Sequence, residues 1–98
     1  MKAIVCKSFA PVCELSFEEV DTPTAAKGEV LVDVVGAGVN FPDSLLVQGL
    51  YQMKPPLPFI PGTEVSGIIA EIGEGVPHLT VGMKVIAMCQ LHCYAEKA

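Results

Sequence analysis

The stretch EVLVDVVGAGVNFPDSLLVQG, residues 29–49, determines where the first long strand ends and the helix begins. Its first half alternates in part, with Leu31 out of phase with Val32 and Asp33 placed among valines. This pattern is typical of a half-buried β-strand. Gly36 and Gly38 follow, and because glycine permits positive φ angles we expect them to close the strand in a turn.

The second half of the stretch predicts a short helix. Asn40 has a side chain that caps helices, and Pro42 suits a first turn. Asp43 stands three residues after Asn40, which is the position of the acid in a capping box. The helix is predicted over residues 44–48, with Gly49 as its C-terminal stop.

Outward from this stretch, the chain is composed mostly of short strands separated by turns. Residues 2–9 and 12–20 have strand character, the latter alternating with Leu15 and Phe17 on the apolar face. Four prolines make residues 51–62 an extended loop. Residues 63–76 predict a strand that ends at a turn over Gly73 and Gly75, residues 81–88 another strand, and residues 94–98 the start of one more. Such a pattern indicates an all-β barrel or sandwich.

Length and charge exclude several classes of protein. The chain has 98 residues, a net charge of −5 and six Lys and Arg, so it has no basic patch for nucleic acid or an anionic membrane. It has no signal peptide and no apolar run long enough to span a membrane. We therefore expect a soluble, cytoplasmic domain. At 51% hydrophobic residues, part of its apolar surface is expected to face a neighbour.

The four cysteines allow two interpretations. Cys89 and Cys93 form a C-x3-C pair around His92, which invites a metal interpretation. Structural zinc uses two closely spaced pairs, however, and Cys6 and Cys13 are too far apart to supply the second. Free thiols in a reducing compartment are the favoured interpretation.

Neither glycine pair completes a dinucleotide fingerprint. The G-x-G-x-x-G pattern fails at Phe41 after Gly36, and at His78 after Gly73. The chain has no G-x-x-x-x-G-K-[ST] phosphate loop either. We therefore expect turns at both glycine pairs and no cofactor cradle in these residues.

Three segments, GVNFPD (38–43), GLYQMKPPLPFIPG (49–62) and EIGEGV (71–76), carry a family resemblance. With MKAIVCKSF at the start and VGMKVIAM near the end, the chain resembles the N-terminal region of NADPH-dependent quinone oxidoreductases. These form the zinc-free, zeta-crystallin-like branch of the medium-chain dehydrogenase/reductase superfamily. The resemblance implies a mainly β fold, a GroES-like, partly open β-barrel with one or two short helices. It also implies that residues 1–98 are an incomplete N-terminal domain without the Rossmann domain that binds NADPH.

The resemblance places two residues where zinc-dependent relatives keep metal ligands. Asn40 stands in place of a cysteine, and Thr63 in place of the histidine of a Gly-His-Glu motif. Neither an amide nor a hydroxyl is a usual zinc ligand. We therefore expect no zinc.

The same resemblance gives three substrate-cleft candidates: Asn40, Asp43 and Tyr51. Without a metal, the Asn40 amide would polarise a substrate oxygen, and its side-chain oxygen could still cap the helix. For Asp43 the alternative is a purely capping role, and for Tyr51 it is packing on the loop prolines. Glu64 is expected to be a structural hydrogen-bond partner.

The function that follows is one part of an enzyme that transfers hydride from NADPH to a quinone or a related conjugated carbonyl. The 98-residue chain alone is predicted to be inactive. Two alternatives stay open: a reductase of enones or enoyl thioesters, and a non-enzymatic barrel that binds a partner protein. A small-molecule quinone or enone is the expected partner, nucleic acid and membrane are not, and formation of a homo-oligomer is left open.

Overall fold

The computed structural model describes residues 1–98 and shows five strands and one α-helix. We number the elements in chain order: β1 (Lys2–Val5), β2 (Ser16–Glu19), β3 (Val30–Ala37), α1 (Phe41–Val47), β4 (Glu64–Ile72) and β5 (Lys84–Met88). A 3-10 turn, Val12–Glu14, precedes β2. The predicted mainly β fold is confirmed.

The strands form two antiparallel sheets that do not close into a full barrel. One sheet pairs β1 with β2, and the other has the order β3-β4-β5. Residues 94–98 join them, because Tyr94 O accepts from Ile4 N–H at 2.8 Å and Glu96 O accepts from Val34 N–H at 2.9 Å. The strand expected in this segment is present as isolated bridges to β1 and β3.

The core is divided into two small apolar clusters. The helix cluster consists of Cys6, Leu46, Val47 and Phe59. The sheet cluster consists of Val32, Val65 and Cys93. The C-terminal half of α1 contributes Leu46 and Val47 to the helix cluster. The loop before β4 returns across β1, where Cys6 and Phe59 exchange backbone hydrogen bonds.

The prediction for residues 12–20 was wrong in two respects. Its first three residues form the 3-10 turn, so the strand begins only at Ser16. The predicted apolar face is correct for Leu15, which packs against the helix cluster, and wrong for Phe17, which is 69% exposed while Ser16 and Glu18 are half-buried. Glu18 accepts a hydrogen bond from Ser16 and pairs with Lys7, and these contacts hold the polar face inward.

The turn predicted at Gly36 and Gly38 was also wrong. Gly36 lies inside β3, beside an irregularity in its register with β4, and neither glycine has a positive φ. Gly38 has a different role, because a Cβ there would lie 1.9 Å from Oε1 of Glu64, whose side chain would have to move. At the second pair the prediction is confirmed, since Gly75 has a φ of 86° in the turn after β4.

The apolar surplus of the sequence is visible on the surface. Val35, Ile86 and Met88 of the three-stranded sheet are 76%, 82% and 79% exposed. Phe17 and Val39 are exposed to a similar degree. The helices do not include a membrane-spanning candidate, since none combines the length and the apolar character that a span requires.

Candidate functional site

The start of α1 positions the first two candidate residues. Asn40 is the N-cap, with extended backbone angles, and Pro42 lies in the first turn. Asp43 Oδ2 accepts a hydrogen bond of 2.9 Å from the Asn40 backbone N–H, which is one half of the predicted capping box. The Asn40 side chain lies over the Asp43 N–H, as in the other half of a capping box, while that N–H donates to the Asn40 backbone carbonyl at 3.1 Å. The helix begins at Phe41, three residues before its predicted start, because the cap fixes its first turn.

The Asn40 side chain is exposed and is held from β4. Its Nδ2 donates to Oε1 of Glu64 at 3.2 Å. An amide NH2 group has two donor hydrogens, so one remains for another acceptor. Glu64 is thus the structural hydrogen-bond partner that we expected. Gly38 leaves the space into which the Glu64 side chain fits.

Asp43 is a buried carboxyl group, with 5% of its surface exposed. Its Oδ2 accepts a second hydrogen bond, of 2.7 Å, from the phenol of Tyr94. Its other oxygen, Oδ1, is buried without a hydrogen-bond partner. The same phenol also lies 3.3 Å from the Gly38 carbonyl. Asp43 thus links the helix start to the segment that joins the two sheets.

Tyr94 is the site residue that sequence reasoning missed. It is separated from Asp43 by 51 positions and lies in a segment for which only strand character was predicted. Burial, followed by the hydrogen bond to Asp43, raises the pKa of the Tyr94 phenol well above its ordinary value. The phenol is therefore a protonated, fixed donor at neutral pH. We call Asn40, Asp43, Glu64 and Tyr94 the polar cluster.

Tyr51, the third candidate, does not contact the polar cluster through a hydrogen bond. It is half-buried, and its ring packs against the helix cluster. An apolar hollow of about 760 Å³ opens beside Tyr94, but Asn40, Asp43 and Tyr51 do not line it. The Asn40 amide therefore faces the open surface of this domain.

The residues present do not fit a metal centre. The chain contains no group of three His, Cys, Asp or Glu side chains placed to hold an ion. Thr63, at the position implied for a zinc-ligating histidine, contributes its carbonyl oxygen to a hydrogen bond with the Cys89 N–H. His78 and His92 are exposed. The absence of zinc in the protein stays a prediction.

A dinucleotide pyrophosphate does not fit these residues either. Such groups bind at a free helix N-terminus approached by glycine backbone. Here the N-terminus of the only α-helix already binds the carboxyl group of Asp43, and Glu64 occupies the space over Gly38. Two acidic side chains at this position would repel phosphate.

Two open antiparallel sheets with a capped helix between β3 and β4 agree with the GroES-like fold that the resemblance implied. Residues 26–98 match the family "Alcohol dehydrogenase GroES-like domain". The chain belongs to this family.

Named relatives include two kinds of enzyme. The chain is 41% identical over 96 residues to the rat (Rattus norvegicus) quinone oxidoreductase-like protein 2, covering 98% of this chain and 27% of that protein. It is 44% identical over 85 residues to an alcohol dehydrogenase of Moraxella, covering 87% of this chain and 25% of that protein. This chain therefore spans about a quarter of the length of these relatives.

A solved structure supports the same placement. The Escherichia coli quinone oxidoreductase, solved in complex with NADPH, superimposes with a TM-score of 0.93 at 31% identity. The match covers 100% of this chain and 30% of that one. The predicted resemblance to the quinone oxidoreductases and the GroES-like fold are confirmed.

Proposed function

We propose that this chain forms the substrate side of an NADPH-dependent oxidoreductase that reduces quinones or related conjugated carbonyls. The observation that carries the proposal is the exposed Asn40 amide. It stands where zinc-dependent relatives are expected to have a metal ligand, and it is oriented from two sides. Glu64 accepts from its side chain at 3.2 Å, and Asp43 accepts from its backbone at 2.9 Å.

A carbonyl oxygen gains negative charge during reduction, so a fixed donor near it stabilises the transition state. One hydrogen on Nδ2 of Asn40 bonds to Glu64. Because an amide NH2 group is planar, this bond also fixes the direction of the second hydrogen. Asp43 is itself held by the Tyr94 phenol at 2.7 Å. The donor is therefore oriented before a substrate arrives, which avoids a reorganisation cost during the reaction.

The cofactor part of the proposal relies on the relatives. The Escherichia coli quinone oxidoreductase was solved with NADPH, which supports NADPH as the reductant. Since the helix start of this chain does not fit a pyrophosphate, we propose that the dinucleotide is bound outside these 98 residues. In this domain the protein's contribution is to bind and orient the carbonyl compound.

Binding of duroquinone, a fully methylated quinone that resists attack by thiols, tests the proposal. Serine caps helices about as well as asparagine but has no amide donor. We expect Asn40→Ser to bind duroquinone about fivefold more weakly than the wild-type chain, because a lost hydrogen bond costs about 1 kcal/mol. Ligand-observed NMR measures both dissociation constants.

Gln90→Ser is the matched control, since it removes an amide from another exposed position. It is expected to leave the affinity unchanged. Equal affinities for wild type, Asn40→Ser and Gln90→Ser, or no binding by a folded wild-type chain, would contradict the proposal.

A further inference from the structure

The loop CQLHC, residues 89–93, brings together two cysteines that the proposed function does not use. It follows β5 and precedes the segment that joins the two sheets. The Cys89 N–H donates to the Thr63 carbonyl at 2.8 Å, and the Cys93 N–H donates to the Gly62 carbonyl at 3.3 Å. Because these acceptors belong to consecutive residues, both ends of the loop are tethered to the same short piece of chain.

The loop reverses direction sharply between the two cysteines. His92 has a φ of 78°, and it is the only residue other than glycine with a positive φ. Its N–H is tethered to the Ile60 carbonyl at 2.8 Å. The reversal and the tethers to consecutive carbonyls hold the backbones of Cys89 and Cys93 close to each other at the two ends of the loop. Disulfides require such closely placed cysteines, with Cα atoms about 4.4–6.8 Å apart.

The two thiols differ in their access to solvent. Cys89 is exposed, whereas Cys93 is fully buried in the sheet cluster. Burial, reinforced by Cys89 and by the carboxyl groups of Asp43 and Glu64, raises the pKa of Cys93 to about 12. An oxidant therefore meets Cys89 first. The raised pKa keeps the Cys93 thiol protonated at neutral pH, so peroxide does not oxidise it directly, and it must give up its proton as it reacts with the sulfenic acid of Cys89.

We propose that Cys89 and Cys93 are a redox modification site that closes to a reversible intraloop disulfide in response to a peroxide. In the first step the Cys89 sulfur attacks hydrogen peroxide, breaks its O–O bond and becomes a sulfenic acid, with release of one water. In the second step the Cys93 sulfur attacks the Cys89 sulfur, forms the S–S bond and releases a second water. The two thiols lose two electrons and two protons, and the peroxide is reduced.

The other two cysteines provide an internal comparison. Cys6 is buried beneath the helix, where its thiol faces the backbone carbonyls of Ser8 and Val47. Cys13 is exposed in the 3-10 turn, and its thiol makes no hydrogen bond. The site is therefore specific to the loop and is not a general property of the cysteines in this chain.

Peptide mass spectrometry tests the proposal on the 98-residue chain. Cleavage after lysine places Cys89 and Cys93 together on the peptide of residues 85–97, while Cys6 and Cys13 lie on separate peptides. After exposure to hydrogen peroxide and alkylation under denaturing conditions, we expect peptide 85–97 to lose two hydrogens and to take up no alkyl group. Treatment with dithiothreitol should restore both alkylation sites. A sulfoxide on Met88 adds an oxygen and is distinguished by its mass.

Two variants at exposed cysteines sharpen the result. Cys89→Ser should leave Cys93 as a thiol that is fully alkylated after unfolding, and Cys13→Ser should form the loop disulfide as the wild type does. The proposal is overturned if wild-type peptide 85–97 keeps both thiols under peroxide. It is equally overturned if Cys89 is oxidised to a sulfinic acid with Cys93 still reduced, or if the disulfide persists in dithiothreitol.

Discussion

Replacement of Tyr94 by phenylalanine removes one hydroxyl group and leaves the ring in place. Asp43 Oδ2 then keeps only the hydrogen bond from the Asn40 N–H, and Oδ1 has no partner already. Hydrogen bonds to charged groups contribute about 1.5–3 kcal/mol to stability. When one partner is removed, the other stays buried without its hydrogen bond, and its desolvation cost is no longer offset. Because Tyr94 itself is only half-buried, we expect a loss of about 2 kcal/mol in the free energy of unfolding.

Urea unfolding followed by circular dichroism measures this loss. With a slope of about 1–3 kcal/mol per molar urea, the midpoint should fall by about 1 M. Tyr51→Phe is the matched control, since its ring packs on the helix cluster and its hydroxyl makes no hydrogen bond. A loss below about 0.5 kcal/mol for Tyr94→Phe, or a loss equal to that of Tyr51→Phe, would refute the coupling between Tyr94 and Asp43.

The pH dependence of the same bond has a defined sign. Burial first, and then Asp43, raise the pKa of the Tyr94 phenol above its ordinary value of 10.0. The folded state therefore binds this proton more tightly than the unfolded state does. The resulting stabilisation is fully present below the ordinary pKa and is lost as the pH rises towards the raised one. Because the chain has no tryptophan, the tyrosinate absorbance of folded Tyr51→Phe reports the ionisation of Tyr94 alone. Ionisation of the Tyr94 phenol at the ordinary pKa of tyrosine would contradict the argument.

Three further predictions concern the fold and the isolated chain. Gly67→Ala should cost about 3 kcal/mol or more, because its Cβ would lie 2.1 Å from the Asp33 carbonyl oxygen; Gly38→Ala should cost less, since the Glu64 side chain can move. Equal urea midpoints for the two would refute this. Asp33→Asn should change stability by less than about 0.5 kcal/mol, because the ion pair with Lys97 is exposed, and a larger loss would contradict that view. The chain alone should consume no NADPH with a quinone, and any rate above the protein-free blank would be contrary evidence.

Local signals explain why the helix start was predictable from the sequence. Asn40, Pro42 and Asp43 act within one turn, and Gly49 ends the helix with a φ of 73°. In this order the residues are typical of the start and the end of a helix, so their roles can be predicted without knowledge of the tertiary fold. The first helical residue was nevertheless predicted three residues too late, because the helix was expected to begin after Asp43 and not directly after the N-cap Asn40.

Long-range contacts explain what the sequence did not predict. Tyr94 reaches Asp43 across 51 positions, and no local pattern marks a tyrosine as a partner of a buried carboxyl group. Period-two alternation locates a strand but does not say which face is inward, so Phe17 was assigned to the wrong side. Gly38 was assigned to a turn because its other use, the close approach of Glu64, depends on β4.

The most direct test of the central claim is an amide-detected NMR titration of the ¹⁵N-labelled chain with duroquinone. The claim is that the Asn40 amide, oriented by Glu64, is the donor that meets the substrate oxygen. We predict that the Asn40 side-chain NH2 signals move on addition of the quinone, while those of Gln90 stay in place. The claim is contradicted if duroquinone binds and moves other signals while those of Asn40 do not change.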